Sequence, residues 1–187
     1  IMDLNPDTVY ASHAYLPFGL PGIATIAYEC WETLGDSPGT IICPVGHGGL
    51  LTGIIYGFES LYAHRLIQQM PLFIGAQPSA CAPLVKLAKE GIKSINGFIG
   101  SHSIAAGTMI TKPSRLSEIH HWIKQNVVEF VDVEEDKILA GYKALAQRGI
   151  WVEPTSALAW GAYQARKSTL PEPVILIMSG AGYKHLS

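Results

Sequence analysis

The apolar run Thr40-Ile41-Ile42-Cys43 breaks on Pro44-Val45-Gly46-His47-Gly48-Gly49-Leu50 and resumes as Leu51-Thr52-Gly53-Ile54-Ile55-Tyr56-Gly57-Phe58. A short β-branched run that stops on glycines and passes into a longer apolar pattern predicts a buried strand, a tight turn and a helix. Glycines permit positive φ and let the backbone approach a ligand closely. The first amides of the following helix lack intrahelical partners, and its dipole favours negative charge. The loop therefore has two readings: a cradle for a phosphate, or a strand-to-helix turn with no ligand. It is neither a P-loop nor G-x-G-x-x-G, because it contains no lysine and Leu51 stands where the third glycine would be.

The same alternation continues along the chain. Helical patterns cover Gly22 to Leu34, Gly49 to about Arg65, Ala80 to Lys89, Ser114 to Gln125, Glu134 to Gln147 and Thr155 to Arg166. Strand patterns cover Thr40 to Cys43, Leu72 to Ala76, Gly107 to Ile110, Val127 to Val133, Ile150 to Val152 and Val174 to Met178. Alternating βα units predict a three-layer α/β/α sandwich with a mostly parallel, Rossmann-like sheet, formed as one domain over residues 1–187. Residues 91–106 form a loop long enough to be functional or mobile. In such a sheet ligands bind outside the carboxyl ends of the strands. Three strand ends then converge: the Gly46 to Leu50 loop, the Glu153-Pro154-Thr155-Ser156 turn and the Ser179-Gly180-Ala181-Gly182 turn.

Charged residues are only 15% of the chain against 48% hydrophobic, which suits parallel strands buried on both faces. A formal net charge of -2 gives no electrostatic case for nucleic acid or an anionic membrane. No apolar segment approaches membrane-spanning length. Cys30, Cys43 and Cys81, an odd number among apolar neighbours, read as reduced core thiols of a cytoplasmic protein.

Among residues that could carry chemistry, Ser179 can offer one hydroxyl to a ligand ring, or can simply punctuate a Ser-Gly turn. Glu153 is either a carboxylate facing the pocket or a first-turn acid beside a helix-starting proline. Thr155 and Ser156 read as caps of that helix. His13 has no identifiable partner, and the adjacent His120 and His121 point to different sides of a helix, so no metal site is expected.

Three motifs, P-V-G-H-G-G-L-L, V-E-P-T-S-A and I-M-S-G-A-G-Y-K, in this order resemble the fold type II pyridoxal phosphate enzymes. That superfamily includes threonine synthase, tryptophan synthase β, cysteine synthase and the serine/threonine dehydratases. The segment S-H-A-Y-L-P-F-G-L-P-G-I-A-T-I-A-Y-E, with Thr25 and Glu29, looks closest to the threonine synthase and cysteate synthase branch. The resemblance implies pyridoxal 5'-phosphate as cofactor. Its phosphate would lie on the backbone amides of Gly46, His47, Gly48, Gly49 and Leu50, and its pyridine nitrogen on Ser179. Glu153 would stand near the substrate. A hydroxyl at the ring nitrogen makes a weaker electron sink than a carboxylate does, which suits β- or γ-elimination and replacement on an amino-acid substrate.

The family's Schiff-base lysine lies in an S-x-K motif that precedes all of these, and this sequence has no such motif. The expectation is a C-terminal, cofactor-binding part of a larger lyase or synthase, inactive alone, whose N-terminal half carries the lysine. Relatives are commonly dimers, so the resemblance is compatible with a homodimer. Two other readings stand beside it: a non-catalytic Rossmann-like phosphate or nucleotide module, and a pseudoenzyme subunit that acts by association.

Overall fold

The computed structural model describes Ser12, Ala14, Tyr15 and residues 17–185; His13 lies outside the described residues. Four strands form one sheet: β1 (Thr40–Pro44), β2 (Leu72–Pro78), β3 (Val128–Val133) and β4 (Val174–Leu176), in the order β3-β2-β1-β4. Every pairing is parallel, with Thr40 opposite both Leu72 and Val174, and Phe73 opposite Val128. Among the described residues the six α-helices are α1 (Leu20–Leu34), α2 (Gly49–Ala63), α3 (Pro83–Glu90), α4 (Leu116–Lys124), α5 (Glu135–Ala146) and α6 (Pro154–Arg166).

The period-2 pleat divides the core into two. Ile41, Cys43 and Phe73 face a cluster with Ala27, Leu51, Phe58, Leu84 and Ile119, so α1 to α4 cover that side. Ile42, Ile74 and Ala76 face Ile138, Leu145, Leu158 and Ala162, so α5 and α6 cover the other. This is the expected three-layer sandwich. Close packing on the first side depends on small residues: a β-carbon added at Gly57 would lie 2.5 Å from the Ala24 carbonyl oxygen of α1.

The chain runs outward from β1 to β2 to β3, then returns through α5 and α6 to place β4 on the other side of β1. Connections on opposite faces leave a crevice between β1 and β4 at their carboxyl ends. That is the topological switch point, where open α/β sheets bind ligands.

Two expected strands are absent. Gly107 and Thr108 instead belong to a tight 3₁₀ turn, Ala106–Thr108, followed by irregular chain, with amides that bond back locally: Thr108 to the Ala105 carbonyl at 3.0 Å and Met109 to the Ala106 carbonyl at 3.2 Å. Local closure of this kind satisfies these amides within the turn, so the segment needs no neighbouring strand. Residues 150–152 contribute only one antiparallel bridge, Val152 to Ala181. β4 ends at Leu176 rather than Met178, although the Ile177 amide still reaches the Ile42 carbonyl at 2.9 Å. Among the described residues no helix is long and apolar enough to cross a membrane.

Candidate functional site

A cavity of about 450 Å³ opens at the switch point. Its lining includes Gly46, His47, Gly48, Gly49 and Leu50 from the loop, Glu153 and Thr155 from the start of α6, and Ser179 after β4. All three segments expected to converge do so, although the one before Glu153 is not a strand. Sequence reasoning missed Ile23, Gly107 and Thr108, which complete the wall.

The loop is shaped by its backbone. Val45 continues the ladder, its amide bonded to the Ala76 carbonyl at 2.9 Å. Its own carbonyl accepts from Nε2 of the fully buried Gln77 at 3.1 Å, and Oε1 of Gln77 accepts from the Leu84 amide at 2.8 Å. The chain then turns at Gly48, which stands at φ 95° and serves as the N-cap of α2 without any side-chain cap. A β-carbon at Gly48 would meet Ile119 Cδ1 at 2.6 Å and Arg115 Cβ at 3.1 Å. The obstacle to a larger residue is therefore α4, in addition to the expected intrusion on a phosphate. At Gly46 a β-carbon would lie 2.9 Å from the Gly107 carbonyl oxygen. The His47 carbonyl accepts from the Arg115 amide at 3.1 Å, and its ring lies 6.1 Å from that of Tyr15.

The first intrahelical bond of α2 runs from the Thr52 amide to the Gly48 carbonyl at 2.9 Å. The amides of Gly49, Leu50 and Leu51 have no backbone partner among the described residues. Donors without partners at the floor of a cavity, on the positive end of a helix, are suited to hold an anion.

The Ser179 end is built differently. Ser179 is exposed, and its hydroxyl makes no hydrogen bond among the described residues. The next residue is held firmly: the Gly180 carbonyl accepts from the Glu153 amide at 2.9 Å, and the Gly180 amide donates to Ser156 Oγ at 2.8 Å. A β-carbon at Gly180 would run into the Glu153 carboxylate, so that half-buried side chain lies directly over the turn. The sequence predicts Thr155 and Ser156 as caps, yet α6 has no side-chain cap. Their hydroxyls go elsewhere, Thr155 Oγ1 accepting from the Gly107 amide at 3.1 Å. Pro154 supplies the pre-set first turn that makes a cap dispensable.

Thr25 and Glu29 are exposed on α1 and do not line the cavity. No lysine lines it among the described residues, and no group of His, Cys, Asp and Glu there could hold a metal. Burial raises all three thiols, Cys43 most, from 9.0 to about 12. None carries the depressed pKa of a reactive cysteine.

With this geometry in view, the comparisons with known proteins are specific. The model of the pyridoxal-phosphate dependent enzyme family matches residues 2–180, and the chain belongs to that family. Threonine synthase of Mycobacterium leprae is 29% identical over 179 residues, which cover 90% of this chain and 46% of that protein. Threonine synthase of Methanocaldococcus jannaschii is 29% identical over 151 residues, covering 80% and 37%. The chain thus spans less than half the length of these curated relatives. Among solved structures, the fungal L-serine ammonia-lyase from Rhizomucor miehei superposes with a TM-score of 0.70 at 20% identity, over 89% of this chain and 53% of that one. Cysteine synthase from Entamoeba histolytica gives 0.73 at 17% identity, over 100% and 50%. These likenesses establish a shared fold.

The family's cofactor is pyridoxal 5'-phosphate, as the motifs implied. The residues present fit its phosphate: three unpartnered amides, a glycine turn that a side chain would fill, and a cavity of suitable volume.

Proposed function

We propose that these residues are the C-terminal, cofactor-binding part of a larger pyridoxal-phosphate dependent lyase or synthase, threonine synthase-like, that acts on amino acids by β- or γ-elimination or replacement. The observation that carries this reading is the convergence of unpartnered α2 amides, Glu153 and Ser179 on one cavity at the switch point. In this reading the backbone of Gly46, His47, Gly48, Gly49 and Leu50 binds the phosphate. Ser179 Oγ, which has no other partner among the described residues, meets the pyridine nitrogen. Glu153 stands on the substrate side, its carboxylate lying over the Gly180 turn. When bound, the cofactor supplies the electron sink for breaking bonds at the substrate α-carbon.

The Schiff-base lysine, in this reading, comes from a segment outside these residues. The sequence has no S-x-K motif, and the described cavity wall has no lysine. Three free thiols, none of them in a disulfide, support a cytoplasmic setting.

The test is a titration of the chain with pyridoxal phosphate followed by borohydride reduction. Saturable binding is expected, with no label fixed at one specific lysine. Adding a segment of the parent protein that bears the S-x-K lysine should restore both reducible attachment and elimination activity. A single lysine of this chain labelled stoichiometrically refutes the assignment.

A further inference from the structure

Thr155 and Ser156 occupy adjacent positions in the first turn of α6, and both are buried, with 8% and 0% exposure. Neighbours on a helix point about 100° apart, so their hydroxyls reach different peptides beside the cavity. Thr155 Oγ1 holds the Gly107 amide at 3.1 Å. Gly107 in turn backs the phosphate loop, since its carbonyl oxygen is what a β-carbon at Gly46 would strike, at 2.9 Å. Ser156 Oγ accepts from the Gly180 amide at 2.8 Å and donates to the Gly180 carbonyl at 3.3 Å. The Gly180 amide belongs to the peptide plane that also contains the Ser179 carbonyl, so Ser156 fixes the backbone orientation of Ser179. The exposed Ser179 side chain has no bond of its own among the described residues to do so.

We propose that Thr155 and Ser156 are positioning residues with divided tasks: Thr155 sets the phosphate end of the cofactor site, and Ser156 sets the hydroxyl that meets the ring nitrogen. The proposal rests on the cofactor reading above. Neither residue touches a reacting atom. Each acts through a glycine peptide, Gly107 or Gly180.

The experiment compares the wild-type chain with Thr155→Val, Ser156→Ala, Ser156→Thr, Ser179→Ala and the Ser156→Ala/Ser179→Ala double variant. Three quantities are read by NMR: amide exchange without ligand, affinity for inorganic phosphate, and the ¹⁵N signal of bound ring-labelled pyridoxal phosphate. Loss of one hydrogen bond should speed exchange about tenfold at Gly107 in Thr155→Val and at Gly180 in Ser156→Ala. Thr155→Val should weaken phosphate at least about threefold and leave the ring signal in place. Ser156→Ala should keep phosphate affinity within about twofold, yet move the ring signal as Ser179→Ala does, and the double variant should move it no further.

Ser156→Thr keeps the oxygen and should keep the wild-type ring signal. It also decides the matter if Ser156→Ala does not fold, because a Ser179→Ala-like signal in folded Ser156→Thr overturns the proposal. Equal effects of Thr155→Val and Ser156→Ala on both ligand readouts overturn it too. A wild-type chain that binds neither probe removes the cofactor reading and this proposal together, whereas binding without the divided response removes this proposal alone.

Discussion

After β1 the chain is turned by its own backbone, with Gly48 at φ 95° and the α2 amides left open. After β4 the chain is held by a third element, the α6 start, through Ser156 Oγ and the Glu153 backbone amide, both bonded to Gly180. The two turns follow adjacent parallel strands and line one cavity. Their difference matches what the proposed cofactor would ask of each. A phosphate presents several acceptors in all directions, and a row of amides satisfies it without any particular side chain. A ring nitrogen presents one lone pair in one direction, so a single hydroxyl must be aimed at it. The first site tolerates side-chain loss and fails when a β-carbon is added. The second tolerates loss of the recognising hydroxyl as far as folding goes, and depends on its supports.

The largest expected effect is at Gly48→Val. A β-branched residue at positive φ with its β-carbon 2.6 Å from Ile119 Cδ1 should cost about 2–4 kcal/mol, read from urea denaturation, and abolish phosphate binding. Gly180→Val should cost less, about 1–2 kcal/mol, because Gly180 is not at positive φ and the obstacle is the half-buried Glu153 side chain, from Cγ to the carboxylate, rather than backbone. A reversed order of these two costs would break the contrast between a turn set by its own glycine and one held from the α6 start.

His47→Ala leaves every amide of the loop in place. Its stability loss should be about 1 kcal/mol or less, and calorimetric titration should find phosphate affinity far closer to wild type than in Gly48→Val. Ser179→Ala, at an exposed position, should change stability by no more than about 0.5 kcal/mol and leave phosphate affinity intact. If Ser179→Ala weakens phosphate as much as His47→Ala, the two ends are not separable as described.

The subtlest effect concerns Cys43, in β1 just before the loop. Burial raises its thiol from 9.0 to about 12, so the fold holds the neutral form. A group whose folded pKa is raised contributes fully below its unfolded pKa and loses that contribution as pH rises through the folded value. Stability attributable to this thiol should be flat below pH 9 and decline between pH 9 and about 12. Urea midpoints across that range, compared with Cys43→Ala, read the difference. Iodoacetamide at pH below 9 should modify the half-buried Cys30 before the fully buried Cys43.

The β1 turn was legible in the sequence because all its determinants are local: an apolar run, glycines, then helical periodicity. The six helices were legible for the same reason, within a few residues at their ends. The long-range supports of the two ends were not. Thr155 meets Gly107 across 48 residues of sequence, and Ser156 meets Gly180 across 24. A hydroxyl two or three residues into a helix carries the same local signature whether it caps that helix or reaches a distant amide, so sequence alone reads both as caps. Gly107 to Ile110 misleads for a related reason. Its β-branched residues favour a strand, but the Thr108 hydroxyl and amide both close on the Ala105 carbonyl, at 2.9 and 3.0 Å, and the segment becomes cavity wall.

The central claim is that the open amides at the start of α2 receive the cofactor phosphate. Titrating the ¹⁵N-labelled chain with pyridoxal phosphate while following backbone amide shifts tests it most directly. The predicted result is a saturable response led by Gly48, Gly49 and Leu50, with Gly180 responding at the same ligand concentration. Saturation centred on another surface, such as the groove between α5 and α6 lined by Arg148 and Trp160, with the loop amides unmoved, would contradict the account.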